Sequence, residues 1–339
     1  MSFTAPAFVQ VHPSFFVPEI LLPYQQASGA FDLLADRDPT VKLGEGDLAV
    51  YIKALDIRTK TAAGNSNYNS LPSVSITAEQ ISTPTYLIRH RIDYDHHDTN
   101  AAGQWGVGLP EAYRLGARQA FFQQMRNALL YGFNPLQGEG LMNTVGATTT
   151  TLPADSNGNT TISTYDNGQM ALFILGIIGS LQARTMQVGQ KSRVNVLMPQ
   201  RVFNAWFLQG VVQLTQFQRP GAGVNTTGGM VTLVAGELAI DFEASCDDTL
   251  IGKGAGGTDA IIFTLPEIKK PEGGRINTNE FAKLTPGLNA CNLQYCDMAA
   301  PREIISPIAG GGTDVLSELR ITSGWSVRPE ALTILSATY

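Results

Sequence analysis

The sequence predicts a mixed α+β fold built around one long amphipathic helix, and three observations lead to that expectation. Two stretches rich in Val, Ile, Tyr and Thr, residues 46–61 and 74–95, are typical of long strands. Residues 110–131 then place apolar side chains at helical spacing. Short strands and helices alternate over residues 193–265, as they do in a compact α/β unit.

The composition describes a chain that is poor in charge. Of 339 residues, 23 are Lys or Arg and 29 are Asp or Glu, so 15% are charged and the net charge is -6, whereas soluble domains average about 25% charged residues. The hydrophobic share of 43% excludes a disordered chain, and no apolar run is long enough to span a membrane. The N-terminus lacks the pattern of a signal peptide, so we expect Cys246, Cys291 and Cys296 to be reduced thiols without a metal.

Residues 1–36 form an apolar segment that contains no Lys or Arg. Four prolines, Pro6, Pro13, Pro18 and Pro23, exclude a long helix. An extended chain of this length reaches on the order of 100 Å at about 3.3 Å per residue. A mobile terminus is one interpretation. The aromatic content favours the other, an N-terminal arm that packs on a neighbouring molecule.

The two long strands are joined by residues 62–73, whose Gly, Asn, Ser and Pro content is typical of a loop. Together they predict a β-hairpin on the order of 50 Å long at about 3.3 Å per residue. An isolated two-stranded ribbon is marginal in water, so we expect contacts with other chains to stabilise it.

The long helix has clear signals at both ends. Pro110 and Glu111 suit its first turn, and Gly132 followed by Pro135 supplies a stop. Its apolar stripe consists of Tyr113, Ala117, Phe121, Met125, Ala128 and Leu129. Such a helix, about 33 Å long at about 1.5 Å per residue, is expected to lie on a sheet or hairpin.

The remaining predicted elements are shorter. A second, more deeply buried helix is expected over residues 166–186. The others are a strand at 193–198, a helix at 200–209, a Gly-rich loop at 220–229, strands at 238–244 and 260–265, an irregular stretch at 266–307, and closing strands at 317–323 and 325–336.

One polar cluster could in principle hold a metal ion, and it consists of Asp93, Asp95, His96, His97 and Asp98. Neighbouring residues of a strand point to opposite faces, whereas metal ligands converge. A solvated polar strand end is therefore the favoured interpretation.

The other candidate sites lack the spacing that their chemistry needs. Residues 221–229 and 252–259 are Gly-rich, but neither has the order of a dinucleotide or phosphate loop. The paired acids Asp247 and Asp248 have no base in view and are interpreted as an exposed turn. All four histidines precede the α/β unit, and no basic stripe marks a nucleic-acid site. We predict no catalytic, cofactor-binding or metal-binding residue, and no enzymatic activity.

Four motifs in order give the chain a resemblance to a known family. They are GEGLMNT at residues 138–144, RVNVLMPQRVFNAW at 193–206, GELAIDFEASCDD at 236–248 and GWSVRPEALTIL at 324–335. With the order of arm, hairpin, long helix, α/β unit and closing strand, they make the chain similar to a tailed-phage major capsid protein of the Hong Kong 97 type. The Gly-Asp pair that this family has after the strand at 260–263 is not present.

The resemblance implies an architecture. It has an N-terminal arm at residues 1–36, an extended β-hairpin loop at 48–100, a peripheral domain with a long spine helix, and an axial α/β domain at 166–300. The peripheral domain would comprise residues 37–47, 101–165 and 301–339. Some relatives cross-link a hairpin lysine to a neighbouring subunit; Lys53 and Lys60 are available here, but no partner residues can be assigned.

The function implied is that of a shell protein, which assembles as pentamers and hexamers of itself into an icosahedral head around double-stranded DNA. Expected partners are a portal protein, a decoration protein in some particles, and a separate scaffolding protein because the arm starts close to Met1. The DNA would be contacted non-specifically, without a membrane or cofactor. The protein would be found in the virion after assembly in the host cytoplasm. Two alternatives stay open, namely the shell of a cellular nanocompartment with the same fold and a cytoplasmic α/β enzyme.

Overall fold

The computed structural model describes residues 28–37, 39–59, 74–104, 106, 108–185, 192–207, 227, 229, 231, 235, 240–268, 291–308 and 311–339. The predicted arm up to residue 27, the hairpin loop at 62–73 and nearly all of the Gly-rich loop at 220–229 lie outside these residues.

The described elements form the mixed α+β chain that the sequence predicts. The helices are α1 (His96–Gln104), α2 (Leu109–Leu130), α3 (Asn167–Arg184) and α4 (Gln200–Phe207). The strands are β1 (Val41–Leu43), β2 (Ala49–Thr59), β3 (Val74–Tyr94), β4 (Thr148–Thr151), β5 (Ser192–Met198), β6 (Ile240–Cys246), β7 (Asp259–Thr264), β8 (Leu293–Gln294), β9 (Cys296–Met298), β10 (Arg302–Ile308), β11 (Gly312–Thr322), β12 (Trp325–Ser326) and β13 (Leu332–Ala337). None of the helices in the described part of the chain has the length and apolar character needed to cross a membrane.

The first sheet contains the predicted hairpin. Its strand order is β1-β9-β11-β3-β2, and β10 pairs with β11 as well. Strand β3 is 21 residues long and pairs antiparallel with β2 up to Pro84 and with β11 from Thr85 onward. The hairpin is thus confirmed, and its 11 paired residues per strand span about 36 Å at about 3.3 Å per residue. Its base continues into a larger sheet.

Helix α2 lies on this sheet, against β3 and β11, as predicted. Pro110 and Glu111 occupy its first turn, and the helix ends before Gly132, which has a left-handed φ of 68°. The residues it buries are Ala117, Phe121, Arg126, Ala128, Leu129 and Leu130. Tyr113, expected on the apolar stripe, is 40% exposed. The buried charge of Arg126 is the larger departure from the predicted stripe.

The second sheet forms the predicted α/β unit. Its strand order is β4-β13-β7-β5-β6, in which β5 and β6 are parallel, β13 and β4 are parallel, and β7 runs antiparallel to its neighbours. Helix α3 is preceded by Asp166, whose side chain accepts a hydrogen bond from the Gln169 backbone N–H at 2.9 Å and so caps the helix. Its buried face, including Ile174 and Ile178, packs in one core with β5 and β7.

Two expectations about the C-terminal half are wrong. The stretch at 266–307, expected to be irregular, contains β8, β9 and β10. The first two are too short to show a period, and β10 is exposed along nearly its whole length, so no alternation marks it. The closing stretch at 325–336, expected to be one strand, is interrupted by a 3-10 turn at Pro329–Ala331, because Pro329 has no N–H to donate to a neighbouring strand.

Residues 28–36, at the end of the predicted arm, lie in the body of the subunit. Leu33 and Leu34 are buried in the same core as the end of α2. The backbone N–H of Gly29 donates to the carbonyl oxygen of Cys246 at 2.8 Å, which attaches this segment to β6. Any part of the arm that extends to a neighbouring molecule therefore precedes these residues.

Candidate assembly surfaces and the junction between the sheets

Two of the four sequence motifs meet at the C-terminal end of α2. The loop at 138–144 folds back onto the helix, since the Gly140 N–H donates to the Gly324 carbonyl at 2.9 Å and the Gly324 N–H donates to the Ala128 carbonyl at 3.0 Å. Gly140 has a φ of 87°, and a Cβ atom there would lie 2.3 Å from the carbonyl carbon of Tyr131. Only glycine allows the three segments to pack backbone to backbone.

Glu139 ties this loop to the hairpin strand β3. Its carboxylate accepts hydrogen bonds from the Tyr86 hydroxyl at 2.7 Å, the Ser323 hydroxyl at 2.7 Å and the Asn134 backbone N–H at 3.1 Å. Burial opposes the negative charge, but these hydrogen bonds outweigh it and lower the pKa of Glu139. Burial, followed by the hydrogen bond to Glu139, raises the pKa of Tyr86 to about 12. A charge-assisted network therefore fixes the base of the hairpin.

Asp247 is buried, which corrects the expectation of an exposed turn. Its Oδ1 atom accepts hydrogen bonds from the Thr249 N–H at 2.9 Å and the Thr249 hydroxyl at 2.5 Å. Its Oδ2 atom accepts one from the Ser28 hydroxyl and lies 4.0 Å from Nε of Arg126 on α2. The expectation fails because Ser28 and Arg126, which help to bury this carboxylate, lie far from it in the sequence. The adjacent Asp248 is exposed, as predicted, and accepts a backbone hydrogen bond of 2.8 Å at the start of α4.

The Asp and His cluster runs from the end of β3 into the first turn of helix α1. The Asp98 N–H donates to Asp95 Oδ1 at 2.8 Å, and the Asp95 N–H donates to Asp98 Oδ2 at 3.4 Å, as in a capping box. The hydrogen bond from the Asp98 backbone lowers the pKa of Asp95. His96 and His97 are exposed, with ring centroids 3.9 Å apart. Within the described residues, no group of three or more His, Cys, Asp or Glu side chains could hold a metal ion.

The Gly-rich stretch at 252–259 is a turn whose last residue is held by α4. Arg201 donates two hydrogen bonds to the buried carboxylate of Asp259, at 2.7 Å from Nε and 2.5 Å from Nη2. The Gly252 N–H donates to the same carboxylate at 3.1 Å, and the ring of Tyr339 lies 5.1 Å from the Arg201 guanidinium. This arrangement joins the turn, α4 and Tyr339, two residues beyond β13.

Apolar side chains are exposed at the hairpin base, on the loop after α2 and on β10. They are Leu48, Tyr51, Leu136, Val145, Ile305 and Ile308. The register aligns Ile92, Val315 and Ile305 in one row across β3, β11 and β10. Helix α2 helps to bury the first two, but Ile305 remains 59% exposed. An apolar row that continues past its own helix is a surface that another molecule can cover.

Several basic side chains on the first sheet and on α2 are paired with acids. The pairs are Lys42–Asp297, Arg89–Glu318, Arg91–Asp314, Arg114–Glu303 and Arg302–Glu45, at N–O distances of 2.8 to 3.3 Å. Exposed ion pairs contribute only about 0–1 kcal/mol each to stability. Their larger effect is to neutralise the surface that this sheet presents.

Comparison with known proteins identifies the fold. No family model and no protein of curated function matches the sequence. The capsid of Myoviridae phage XM1 matches with a TM-score of 0.66 at 13% identity, over 96% of each chain. Mycobacterium phage Cain matches with a TM-score of 0.56 at 8% identity, over 96% of this chain and 95% of that chain. The capsid of cyanophage P-SCSP1u matches with a TM-score of 0.54 at 11% identity, over 96% and 93%. The chain therefore has the Hong Kong 97 type fold of phage capsid proteins, which confirms the predicted fold.

Proposed function

We propose that this chain is a major capsid protein, whose copies assemble as pentamers and hexamers into the icosahedral head of a tailed phage around double-stranded DNA. The likeness to phage capsids over 96% of the chain carries the proposal, because it includes the hairpin, the long helix and the α/β unit together. The virion would be its location, after assembly in the host cytoplasm. Its role would be structural, without catalysis.

The exposed apolar side chains support a protein that binds copies of itself. Leu136 is 103% exposed, although the loop that carries it is fixed by the glycine contacts and by Glu139. A fixed loop loses little conformational entropy when it binds, so an apolar side chain on it is suited to an interface. The hairpin adds a second surface, since a two-stranded ribbon gains stability from a neighbour.

We propose a division of the chain that follows the resemblance. The extended loop is residues 48–100 and the axial domain residues 166–300, while residues 37–47, 101–165 and 301–339 form the peripheral domain. Strands β4 and β13 pair in one sheet with the axial strands β5 to β7, which supports two domains that share a sheet. Residues 28–36 pack in the body of the subunit, so the proposed arm is restricted to residues that precede Ser28.

The charge pattern supports loose, non-specific contact with packaged DNA. Protein–DNA affinity comes mainly from Lys and Arg side chains that neutralise phosphates. This chain has a net charge of -6, and several of its basic side chains are already paired with acids. Portal, scaffolding and decoration proteins would be bound through protein surfaces.

The first test is assembly of the purified full-length chain, followed by size-exclusion chromatography with light scattering and by negative-stain microscopy. Closed icosahedral particles or capsomers are expected, alone or with a co-expressed scaffolding protein. A chain that stays monomeric at every concentration, and also when every other protein of its source particle is co-expressed, would overturn the proposal. Small tailless cages purified from source cells that carry no other phage genes would favour a nanocompartment instead.

A shortened hairpin gives a sharper test. Lys53 and Gln80 are cross-strand partners, so residues 54–79 can be replaced by an Asn-Gly turn that closes the ribbon in register. Since α2, the other strands of the first sheet and the paired residues up to Lys53 and Gln80 are retained, the variant should keep the cooperative unfolding transition of the full chain, and its circular dichroism should differ only by the strand residues that are removed. It should fail to form closed shells. Normal shells from this variant would show that the hairpin is not an assembly element.

A further inference from the structure

The sequence contains two Asn-Gly pairs, and the structure places them in different surroundings. Asn157 and Gly158 lie in the loop before α3, whereas Asn167 and Gly168 are the first residues of that helix. An asparagine that precedes glycine is labile in water, because the glycine nitrogen has no side chain beside it to hinder its attack on the asparagine side chain. The fold therefore decides which of the two pairs can react.

The pair in the loop is exposed and lightly held. The Asn157 side chain is exposed, and in the described part of the chain it has no hydrogen-bond partner. Gly158 has a φ of 84°, and nothing lies within 4 Å of a Cβ atom built on it. The Gly158 N–H donates to the carbonyl oxygen of Asp155 at 3.0 Å, which is a single turn hydrogen bond at the surface. The reacting nitrogen is released when that one hydrogen bond opens.

The pair in the helix is protected. Asn167 is the first residue of α3, and its side-chain oxygen accepts a hydrogen bond from the Thr227 hydroxyl at 3.2 Å. Asp166 caps the same turn by accepting the Gln169 N–H. Attack by the Gly168 nitrogen rotates the backbone of the asparagine out of helical geometry. The reaction at Asn167 therefore requires the capped turn to open and the contact with Thr227 to break.

We propose that Asn157 is a site of spontaneous deamidation, with water as the co-reactant. The backbone nitrogen of Gly158 attacks Cγ of Asn157 and forms a succinimide ring, while the bond between Cγ and Nδ2 breaks. The proton of the Gly158 N–H leaves with Nδ2 as part of ammonia. Water then opens the ring at either of its carbonyl carbons, which gives aspartate or isoaspartate at position 157. The net change is one amide hydrolysed and one negative charge gained at neutral pH.

The isoaspartate product would disrupt the hydrogen bonds of a neighbouring carboxylate. Oδ1 of Asp155 accepts the backbone N–H groups of Asn157 and Asn159, both at 2.8 Å. Isoaspartate adds one carbon atom to the backbone between these two donors, so they no longer reach one oxygen atom together. Asp155 is 7% exposed, and a buried carboxylate that loses a donor destabilises the loop that leads into α3. In an assembled particle the change would accumulate with age, a consequence that rests on the proposed function.

The test is incubation of the purified, unassembled full-length chain in mildly alkaline buffer, followed by peptide mapping with mass spectrometry. The same chain in urea is the unfolded reference, in which Asn157 and Asn167 should react at similar rates. In the folded chain Asn157 should react within about tenfold of its rate in urea, since a single turn hydrogen bond must open. Asn167 should react at least about tenfold more slowly than Asn157, because its capped turn must open. Asn157→Gln is the matched variant, since its longer side chain closes the ring far less readily, and the peptide that contains position 157 should stay unmodified.

Two outcomes would overturn the proposal. One is an Asn157 that reacts no faster than Asn167 in the folded chain, because the fold would then not distinguish the two pairs. The other is conversion of the same peptide at the wild-type rate in Asn157→Gln, because the labile residue would then be a neighbour such as Asn159. Fractions rich in isoaspartate should unfold at a lower urea concentration than fresh protein, and equal midpoints would exclude the effect on Asp155. All these measurements use subunits, so their failure is separate from a failure to form shells.

Discussion

Gly140→Ala should lower the free energy of unfolding of the subunit by about 3–5 kcal/mol, because two costs combine at this position. A φ of 87° with a ψ of 146° is a conformation that residues other than glycine rarely adopt, and it costs a residue with a Cβ atom about 1–3 kcal/mol. The added Cβ would also lie 2.3 Å from Tyr131 C and 2.5 Å from Gly132 N, which are backbone atoms that cannot rotate away. Relief of that overlap separates the loop from the helix end and breaks the two hydrogen bonds through Gly324, each worth about 1 kcal/mol.

Gly158→Ala is the matched control for this substitution. Gly158 has a φ of 84°, but nothing lies within 4 Å of an added Cβ atom, so only the conformational cost of about 1–2 kcal/mol applies. Both variants are measured by urea unfolding of unassembled subunits, since assembly would add apparent stability. A loss in Gly140→Ala no larger than in Gly158→Ala would refute the argument that the close backbone packing requires glycine.

Three further predictions concern the core and the hairpin base. Leu33→Ala should cost about 2–5 kcal/mol of unfolding free energy, because the side chain is fully buried. Leu136→Ala, at an exposed side chain, should leave the stability unchanged and reduce the particle yield seen by microscopy. Equal unfolding midpoints for the two variants would contradict the core position of Leu33. Glu139→Gln should cost about 1–3 kcal/mol at neutral pH. The folded-state pKa of Glu139 is lowered, so the wild-type advantage is complete above the unfolded pKa and is lost as the pH falls through the folded value. The stabilities of the two proteins should therefore converge as the pH is lowered below the ordinary range of a glutamate; a gap that does not narrow with falling pH argues against the network. Tyr86→Phe should cost about 1–2 kcal/mol and less in the Glu139→Gln background, and strict additivity in the double-mutant cycle would exclude a direct interaction.

Elements with local signals could be predicted from the sequence. Helix α2 has its apolar spacing, its start at Pro110 and its stop at Gly132 within consecutive residues, and the structure places its ends within one residue of the predicted ones. The hairpin strands are likewise long enough for their composition to identify them. The predicted order of helices and strands is compatible with many folds. The four ordered motifs indicated the Hong Kong 97 type fold among them, and the comparisons confirm that fold.

Features that depend on distant partners could not be predicted. Asp247 looked like half of an exposed acid pair because its partners Ser28 and Arg126 lie far from it in the sequence. Strand β10 shows no alternation, since only its pairing with β11 makes it a strand. The one local sign of the buried site was an arginine within the apolar last turns of α2. A charge in such a position requires a buried partner, but the sequence does not say which acid supplies it.

The last turns of α2 connect the hairpin to the α/β unit mechanically. The loop that follows them holds the hairpin base through Glu139 and Tyr86, and Gly140 and Gly324 attach that loop directly to the helix end. The same turns reach the end of β6 through Arg126, which faces the carboxylate after that strand. These links are backbone hydrogen bonds, a partly buried hydrogen-bond network and a buried ion pair, so a displacement of the hairpin base is transmitted to the second sheet instead of being absorbed by a flexible connection. Substitutions at the end of α2 should therefore alter the geometry of assembled particles, whereas substitutions of its buried residues nearer the N-terminus, such as Ala117, should change only the stability of the subunit.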